Sequence, residues 1–479
     1  MKKVLSLLLI TVFALGLTGC VQIEDDPYQV DCAEYPNHVS CLDEGGGAIE
    51  GAPGIINVLD ALPDEPITIT FWHVYGESKG ALLNEFIDEF EADYPNVTVE
   101  AISQGDYDTI RSNTLNAITA GNTPTMVVGY PDHVAGYLKG NAVIPLDDFI
   151  YDENYGVNLD DFIESYLAEN KQYAGGYMYS FPYSKSTEMM VYNKDKFAAA
   201  GITVPQDEII TWDMLDTWAD TLVNENYVPG SNVADECQYL LNFDSASNFF
   251  INSVRMWDGG YTNSEGEILV DNANTIDMLE YVKTRFEDNT FSLPLAWNES
   301  YGSNNFIAGD VCMSVGSTAG INYNIPPSGE FDVGVLPIPQ YDLDNKSAVQ
   351  QGPNIAIMSN TTDAERLASW LLIKYLTKAE NTAAWAMETG YLPVRHSGVQ
   401  SADYQAFLEI DDPTDSLYYS SLAAQAAYAQ YEYFEYDPAF AGAVTSSDAR
   451  FQAGVAMEAL FGGYSAQEVI DDMVRQLGA

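Results

Sequence analysis

The most regular pattern of apolar and polar residues begins at residue 67. Residues 67–72 (ITITFW) alternate between apolar and polar side chains, which is typical of a β-strand. A loop at 76–80 precedes a predicted helix, whose apolar face is formed by Leu82, Leu83, Phe86, Ile87 and Phe90. The break at residues 94–96 (YPN) ends this helix, and residues 97–102 form a second predicted strand. This order predicts a β-α-β unit, which is the building block of a parallel sheet.

Further elements follow the same alternation of strand and helix. Residues 107–121 are predicted as a helix and 125–128 as a strand. Thr211 is expected to cap a helix that begins at Trp212, because a threonine hydroxyl can accept a hydrogen bond from the first turn. The chain therefore has the pattern of an α/β protein.

A second strongly patterned stretch lies at residues 368–395. The residues that recur at helical spacing and predict one apolar helix face are Leu367, Trp370, Leu371 and Tyr375. Residues 377–380 are predicted as a corner and 382–387 as a second helix. Gly390 is expected to end that helix, because glycine adopts the left-handed conformation at little cost. Pro393 then keeps Leu392 extended.

Composition and charge narrow the possible partners. The 479 residues include 71 acidic and only 19 basic ones, a formal net charge of −52. A field of this sign disfavours nucleic acid and anionic membrane surfaces as partners. Because 47% of the residues are hydrophobic, the chain is predicted to be globular rather than a disordered acidic tail.

The first residues have the pattern of a secretion signal. Lys2 and Lys3 precede an apolar run at 4–17, which ends in a Leu-Thr-Gly-Cys sequence at residues 17–20. This ending resembles a bacterial lipobox, which implies cleavage before Cys20 and lipidation of that cysteine. The alternative is an ordinary signal peptide with a chance cysteine. Residues 21–66 are rich in Asp, Glu, Gly and Pro and are predicted to be a flexible acidic tether.

Cysteines and histidines offer few chemical sites. Cys32 and Cys41 could close a small disulfide loop outside the cytoplasm, whereas Cys237 and Cys312 could pair or remain buried thiols. The four histidines have no metal-ligand spacing and are His38, His73, His133 and His396. We therefore predict no metal and no cofactor.

Short motifs in a fixed order carry a family resemblance. They include FWH at 71–73, YPNV at 94–97, PY at 182–183, YNKD at 192–195, TWD at 211–213, GG at 259–260, LPIP at 336–339 and TGYLPV at 389–394. Together they resemble family 1 of the extracellular solute-binding proteins of ABC importers. This family includes maltose-, oligosaccharide- and glycerol-3-phosphate-binding proteins. Each motif is weak alone, and the order across residues 67–479 carries the resemblance.

The resemblance implies a periplasmic-binding-protein-like α/β fold. Two discontinuous lobes are expected, joined by a multi-strand hinge with a ligand cleft between them. The first lobe would comprise 67–181 and 354–390, and the second 183–350 and 392–479. The chain would cross between the lobes at Pro182, at 351–354 and at Tyr391.

The candidate ligand-binding residues lie on predicted loops, mostly after strands, where open α/β sheets bind ligands. Tyrosine suits this role because it offers both an aromatic face and a hydroxyl. The candidates from loop position and family resemblance are His73, Tyr75, Gln104, Asp106, Tyr107, Tyr130, Asp132, Ser184, Ser186, Trp257, Gly259, Trp297, Tyr301, Ser317, Tyr391 and Arg395.

Structural roles compete with ligand binding at several of these positions. Asp106 could cap the next helix instead of binding ligand. His73 could bond to backbone at the end of its strand. Arg395 could hold a carboxylate or phosphate, or form a surface or hinge salt bridge. Most aromatic residues of any chain belong to the core rather than to a site.

The resemblance implies a binding protein rather than an enzyme. No nucleophile elbow, metalloprotease motif or phosphate loop occurs, and no motif nominates a carboxylate pair for glycoside hydrolysis.

We therefore predict a monomeric lipoprotein, anchored outside the cell membrane, that delivers a mono- or oligosaccharide to an ABC permease. The alternatives are a glycerol-3-phosphate or glycerophosphodiester receptor, then a secreted glycoside hydrolase or an adhesin. In glycerol-3-phosphate-binding members of the family, the resemblance implies a phosphate-binding arginine downstream of the TGYLPV turn. Residues 416–444 contain no Arg or Lys, which disfavours phosphate, and Arg450 is the next basic residue. The identity and length of the sugar stay open.

Overall fold

The computed structural model describes residues 56–231 and 233–478. The predicted signal segment, Cys20, His38 and the Cys32–Cys41 pair lie outside these residues, as does most of the predicted tether. Across the described ranges, no helix has the length and apolar character needed to span a bilayer.

Two mixed five-stranded sheets and one small strand pair organise this part of the chain. The strands are β1 (Ile67–His73), β2 (Val97–Ser103), β3 (Met126–Gly129), β4 (Phe181–Pro182), β5 (Glu188–Asn193), β6 (Tyr239–Phe243), β7 (Phe291–Ser292), β8 (Val311–Ser317), β9 (Val333–Leu336), β10 (Ala348–Val349), β11 (Asn354–Ile357) and β12 (Phe434–Glu435). The first sheet has the order β2-β1-β3-β11-β4, the second has the order β7-β6-β8-β5-β9, and β10 pairs with β12.

Helices cover both sheets. They are α1 (Glu77–Asp93), α2 (Tyr107–Ala120), α3 (Pro131–Leu138), α4 (Asp147–Ile150), α5 (Glu164–Asn170), α6 (Lys194–Ala199), α7 (Trp212–Leu222), α8 (Ala246–Met256), α9 (Ala273–Glu287), α10 (Gly302–Ile307), α11 (Asp363–Leu376), α12 (Ala379–Thr389), α13 (His396–Val399), α14 (Ala402–Leu408), α15 (Tyr418–Ala429), α16 (Ser446–Phe461) and α17 (Ala466–Leu477). A 3-10 segment, Thr318–Asn324, follows β8.

The predicted β-α-β unit opens the first lobe. β1 pairs in parallel with β2 and with β3, so the ends of all three strands meet at one edge of the sheet. Ile67, Ile69 and Phe71 on β1 are buried, as the alternating pattern requires. β11 lies antiparallel between β3 and β4, although it comes from much later in the chain than β3.

The late patterned stretch forms α11 and α12 of the first lobe. Thr362 and Glu365 cap α11 reciprocally, and the four predicted apolar residues of this helix are buried. Gly390 ends α12 with a φ of 75°, as predicted. A Cβ at this position would lie 2.5 Å from the carbonyl oxygen of Thr318, so the close approach of the two segments also requires glycine.

The second lobe is built on the other sheet. β6 and β8 are parallel, and β5 lies antiparallel between β8 and β9. Thr211 caps α7 with its side chain, as the sequence predicted. Cys237 and Cys312 form a disulfide with their Cα atoms 5.7 Å apart, so the pairing left open by the sequence is resolved.

Three crossing segments connect the sheets. Between β4 and β5, the backbone N–H of Ser184 donates to the Pro353 carbonyl at 3.1 Å, and that of Ser186 donates to Gln351 at 2.9 Å. In the third segment, the N–H of Leu392 donates to the Lys185 carbonyl at 2.7 Å. These bonds join the three crossings into a multi-strand hinge.

A buried ion pair holds the hinge together. Lys185 and Glu169 are almost completely shielded from solvent, and the Lys185 ammonium contacts the Glu169 carboxylate. Lys185 Nζ also donates to the Gly352 carbonyl at 2.8 Å. The side-chain amides of Gln350 and Asn354 donate to the two carboxylate oxygens of Glu169 at 3.2 and 3.1 Å. This hinge network therefore links α5 to the first two crossings through side chains, and to the third through the Lys185 backbone.

Candidate ligand-binding site

A cavity lies between the lobes at the ends of the parallel strands. Both lobes and the second crossing contribute to its walls. The residues around it are Tyr130, Pro131, Asp132, Glu169, Tyr261, Gln350, Gln351, Asp437, Pro438, Ser446 and Arg450. This is the position at which open α/β sheets bind ligands.

The two lobes are in direct contact around this cavity. The Ser447 hydroxyl donates to Asp132 Oδ2 at 2.6 Å, which joins α16 to α3. Lys79 Nζ donates to the Ala319 carbonyl at 2.8 Å, which joins α1 to the segment after β8. The enclosed volume of about 30 Å³ accommodates only a few water molecules. A solute as large as a sugar therefore requires the lobes to separate by hinge motion.

Four tyrosines from separate segments cluster at the first-lobe edge of the cleft. Tyr75 follows β1, Tyr107 begins α2 after β2, Tyr130 follows β3, and Tyr391 lies in the third crossing. The rings of Tyr107 and Tyr130 are 4.5 Å apart between centroids, and the hydroxyls of Tyr107 and Tyr391 are 3.2 Å apart. Burial raises the pKa of each of these tyrosines, so their hydroxyls stay protonated at neutral pH. The sequence analysis named all four, and the structure brings them together as the tyrosine cluster.

Two further aromatic residues support the tyrosine cluster from behind. Trp385 stacks on Tyr183, and its Nε1 donates to Ser184 Oγ at 3.0 Å. The same Ser184 oxygen lies 2.8 Å from the Tyr75 hydroxyl. Ser184 is therefore a buried link between the first crossing and the tyrosine cluster, and Ser186 beside it is buried as well.

His73 lies at the end of β1 next to the tyrosine cluster. Its Nδ1 accepts the backbone N–H of Tyr75 at 3.1 Å, and its ring stacks on the Tyr75 ring. Burial lowers the pKa of His73 to about 4, which keeps the ring neutral. The alternative of a backbone-bonded histidine therefore describes its observed contacts.

Asp132 brings a carboxylate to the cavity. Burial raises the pKa of Asp132, but His133, Ser447 and Arg450 outweigh burial, and the net direction is downward. The carboxylate therefore stays ionised and can accept hydrogen bonds from a ligand hydroxyl.

Arg450 on α16 brings the positive charge that the sequence analysis did not place here. Its Nη1 contacts Asp437 Oδ2 at 2.5 Å, and its Nη2 donates to the side-chain oxygen of Asn248. Arg255 approaches the other oxygen of Asp437 at 3.0 Å. Two guanidinium groups thus share one carboxylate beside the cavity. No local sequence pattern predicts the contact between Arg450 and Asn248, because the two residues are 202 positions apart.

Gln104 and Asp106 are held by α2. Asp106 accepts the backbone N–H of Thr109 at 2.7 Å and is the N-cap of this helix, as the alternative reading stated. Gln104 Oε1 accepts from Asn113 at 2.9 Å. Their side-chain bonds belong to the helix that presents Tyr107, and neither residue lines the cavity.

The second lobe presents the ends of its own parallel strands. Ser317 ends β8 and lies opposite Glu188 at the start of β5. Tyr301 precedes α10, where the N–H of Gly302 donates to Asp244 Oδ1 at 2.6 Å just after β6. The Tyr301 side chain is exposed. These positions lie at the strand ends, but they do not line the cavity in the observed arrangement of the lobes.

Three predicted positions in the second lobe lie away from the cavity. Trp297 Nε1 donates to Gln238 at 3.2 Å, next to the start of β6 rather than its end. Trp257 ends α8 and stacks on Tyr341 with ring centroids 3.3 Å apart. A Cβ on Gly259 would lie 2.7 Å from Thr275 Oγ1, so this glycine permits packing against α9.

Arg395 also lies away from the cavity. Its Nη1 donates to Asp161 Oδ2 at 3.1 Å, and its guanidinium covers the ring of Phe162 at 4.1 Å. This is the salt bridge that the sequence analysis gave as the alternative role. The guanidinium beside the cavity belongs to Arg450 instead.

Comparison with known proteins gives the family. The sequence pattern of the family described as bacterial extracellular solute-binding protein matches residues 85–412. The chain belongs to this family. The predicted recognition is thereby confirmed, and membership identifies a solute-binding protein of the kind that works with ABC permeases.

Individual relatives within the family are distant in sequence. The chain is 24% identical over 353 residues to the sn-glycerol-3-phosphate-binding periplasmic protein UgpB of Pectobacterium atrosepticum, covering 72% of this chain and 78% of that protein. It is also 24% identical to UgpB of Escherichia coli K12 over 358 residues, with coverages of 73% and 79%.

Solved structures of the family share the fold. UgpB from Mycobacterium tuberculosis in complex with glycerophosphocholine has a TM-score of 0.71 at 22% identity, covering 86% of this chain and 97% of that one. A substrate-binding protein from Listeria monocytogenes in complex with cycloalternan has a TM-score of 0.70 at 15% identity, with coverages of 86% and 100%. MalE from Bdellovibrio bacteriovorus bound to maltotriose has a TM-score of 0.65 at 19% identity, covering 86% of this chain and 99% of that one. These likenesses confirm the predicted fold of two α/β lobes.

Proposed function

We propose that this protein is the extracytoplasmic receptor of an ABC importer and that it captures a mono- or oligosaccharide. The tyrosine cluster beside the interlobe cavity carries this proposal. Four aromatic faces with protonated hydroxyls suit the apolar faces and hydroxyl rims of sugar rings. The ionised Asp132 supplies an acceptor for sugar hydroxyls. Solved relatives bound to cycloalternan and maltotriose support this ligand class.

A second candidate ligand is glycerol 3-phosphate or a glycerophosphodiester. Arg450 favours it, because a guanidinium beside the cavity can bind a phosphate in two-point geometry. Its sequence relatives named for sn-glycerol-3-phosphate binding point the same way. Asp437 already pairs with the Arg450 guanidinium, and the Asp132 carboxylate lies nearby. An anionic ligand would have to displace Asp437 or overcome the repulsion of both carboxylates. We therefore place the neutral sugar first.

Calorimetric titration separates the two ligand classes. A panel containing maltotriose, cycloalternan, glycerol 3-phosphate and glycerophosphocholine should give measurable heat with at least one neutral sugar. Tight binding of the phosphate compounds, abolished in Arg450→Gln and accompanied by no response to any sugar, would transfer the proposal to the second class.

Substituting Tyr130 by Ala is expected to weaken sugar binding by about 1–3 kcal/mol, the usual scale for a buried aromatic contact. Tyr130 lines the cavity and packs on Tyr107, so its loss removes both a ring face and a hydroxyl. Trp257→Ala is the matched control, because this aromatic residue lies in the second lobe away from the cavity. The control should lower the melting temperature and leave affinity within about threefold, a change below 1 kcal/mol. Equal losses of affinity in both variants would contradict the assignment of the site.

We further propose that Cys20 carries the lipid anchor and that residues 21–66 tether the receptor to the outer face of the cell membrane. The lipobox-like ending of the signal segment supports this. Cys20→Ala should release the protein into the medium or leave an unprocessed precursor, as cell fractionation would show. A variant that stays in the membrane fraction at the wild-type level and size would refute the anchor.

We propose that the receptor is a monomer without cofactor or catalytic step, and that its lobes have the limits given by the sequence analysis.

A further inference from the structure

A buried chain of hydrogen bonds connects the Arg450 guanidinium to a carboxylate behind it. Arg450 donates to the side-chain oxygen of Asn248 on α8. Asn248 Nδ2 donates in turn to Glu188 Oε1 at 2.9 Å and to Gln351 Oε1 at 3.0 Å. Asn252, one turn further along α8, donates to Glu188 Oε2 at 3.0 Å. Both oxygens of the Glu188 carboxylate therefore receive an amide N–H.

The polarity of this chain is fixed by Glu188. A carboxylate only accepts hydrogen bonds, so Asn248 must turn its NH₂ group toward it. The amide oxygen then faces the opposite way, toward Arg450, which only donates. A reversed Asn248 amide would set its NH₂ group against the guanidinium and leave donors facing donors. The orientation of one amide thus decides whether Arg450 has a partner on α8.

We propose that Glu188 is a positioning residue that holds Arg450 beside the cavity through Asn248, and thereby sets ligand affinity. This inference rests on the proposed function, because it takes the interlobe cavity as the binding site. Glu188 begins β5 directly after the first crossing, and Asn248 also touches Gln351 of the second crossing. The position of Arg450 is therefore set by groups that belong to the hinge.

The charge state of Glu188 supports the same role. The pKa of Glu188 is raised to about 7, chiefly by burial and in part by Asp244, although Asn248, Arg450 and Asn252 oppose the shift. A protonated carboxyl would direct an O–H at an amide NH₂ group and lose one acceptor site. Arg450 and Asp244 are the other charged groups that act on this carboxyl, and Ser317 is the backbone partner of Glu188 on β8. We expect wild-type affinity to fall several-fold between pH 7.5 and pH 5.5.

The first test compares Glu188→Gln with two matched variants. Glu188→Gln places an NH₂ group where the carboxylate accepts, and should weaken binding of maltotriose or glycerophosphocholine, whichever binds the wild type, by at least about tenfold. Glu188→Asp keeps the acceptors and should recover most of that loss. Asp310→Asn removes another buried carboxylate of the second lobe, which accepts the N–H of Gly230 at 2.6 Å, and should leave affinity unchanged.

A double-mutant cycle shows whether Glu188 acts through Arg450. In an Arg450→Gln background, Glu188→Gln should cause no additional loss of affinity. The pH dependence of affinity should disappear in the single variant Glu188→Gln. An undiminished loss in the Arg450→Gln background would overturn the proposal. If Glu188→Gln does not fold, Asn248→Ala breaks the same chain at its middle and should give the same tenfold loss.

Crystal structures separate this proposal from the proposed function. In Glu188→Gln the guanidinium of Arg450 should leave the Asn248 oxygen, and in Glu188→Asp it should stay. A guanidinium in its wild-type position in Glu188→Gln would overturn the positioning role, whatever ligand binds. Failure of every probe to bind the wild type would instead refute the proposed function, and the two structures would still decide the role of Glu188.

Discussion

Gly352→Ala is expected to destabilise the protein by more than about 4 kcal/mol or to prevent its folding, a loss typical of severe backbone conflict. Gly352 has a φ of 99°, in the region that residues with a side chain avoid. A Cβ there would lie 2.0 Å from the carbonyl oxygen of Ser184 and 2.8 Å from Lys185 Cα. Both neighbours are backbone atoms of the first crossing, so no rotation of a side chain relieves the clash. Urea unfolding of the purified variant measures the loss.

Gly201→Ala provides the matched control for this substitution. Gly201 has a φ of 73°, but no atom lies within 4 Å of a Cβ built there. It therefore carries the conformational cost without the clash, about 1–2 kcal/mol. Similar unfolding free energies for the two alanine variants would show that the close approach of the crossings at Gly352 is unimportant.

Lys185→Met should cost about 3–5 kcal/mol, because it leaves the Glu169 carboxylate buried without its counter-charge. Lys185 and Glu169 are 0% and 1% exposed, so water cannot replace the ammonium. Adding Glu169→Gln to this variant should recover much of the loss, since the second substitution removes the uncompensated charge. The free energy of unfolding in urea provides the comparison.

Arg475→Met is the control for a charge pair without burial. Arg475 pairs with Asp472 on α17, but its side chain is 70% exposed. Solvent screens such pairs, so the expected cost is about 0.5 kcal/mol or less. A loss for Lys185→Met no larger than that of Arg475→Met would show that the hinge network does not stabilise the fold.

The sequence was informative wherever a local pattern determines the outcome. The alternation in β1, the break before β2 and the left-handed Gly390 follow from neighbouring residues, and the structure contains each of them. The capping roles of Asp106 and Thr211 depend on residues only three positions away. The tyrosine cluster was predictable as well, because parallel strands place the loops that follow them at one edge.

The missed features depend on contacts between distant segments. The Lys185–Glu169 pair joins α5 to a crossing, and the Arg450–Asn248 contact joins helices 202 positions apart. In a chain with 71 acidic residues, nothing in the local pattern marks Glu169 or Glu188 as buried. Trp257 and Trp297 follow helices or strands as the cleft residues do. Only the tertiary structure shows that Trp257 lies at the C-terminal end of α8 and Trp297 beside the start of β6, away from the cavity.

Trp385 is an intrinsic fluorophore that contacts the hinge. Its indole is fully buried, stacks on Tyr183 with centroids 5.3 Å apart and is parallel to the Tyr391 ring at 6.2 Å. Tyr183 and Ser184 belong to the first crossing, and Tyr391 belongs to the third. Because segments of two crossings contact this indole, we expect rotation of one lobe against the other to change its surroundings. We therefore expect hinge motion to change the emission and quenching of Trp385, and comparison with a Trp385→Phe variant would separate this change from the signal of the other six tryptophans.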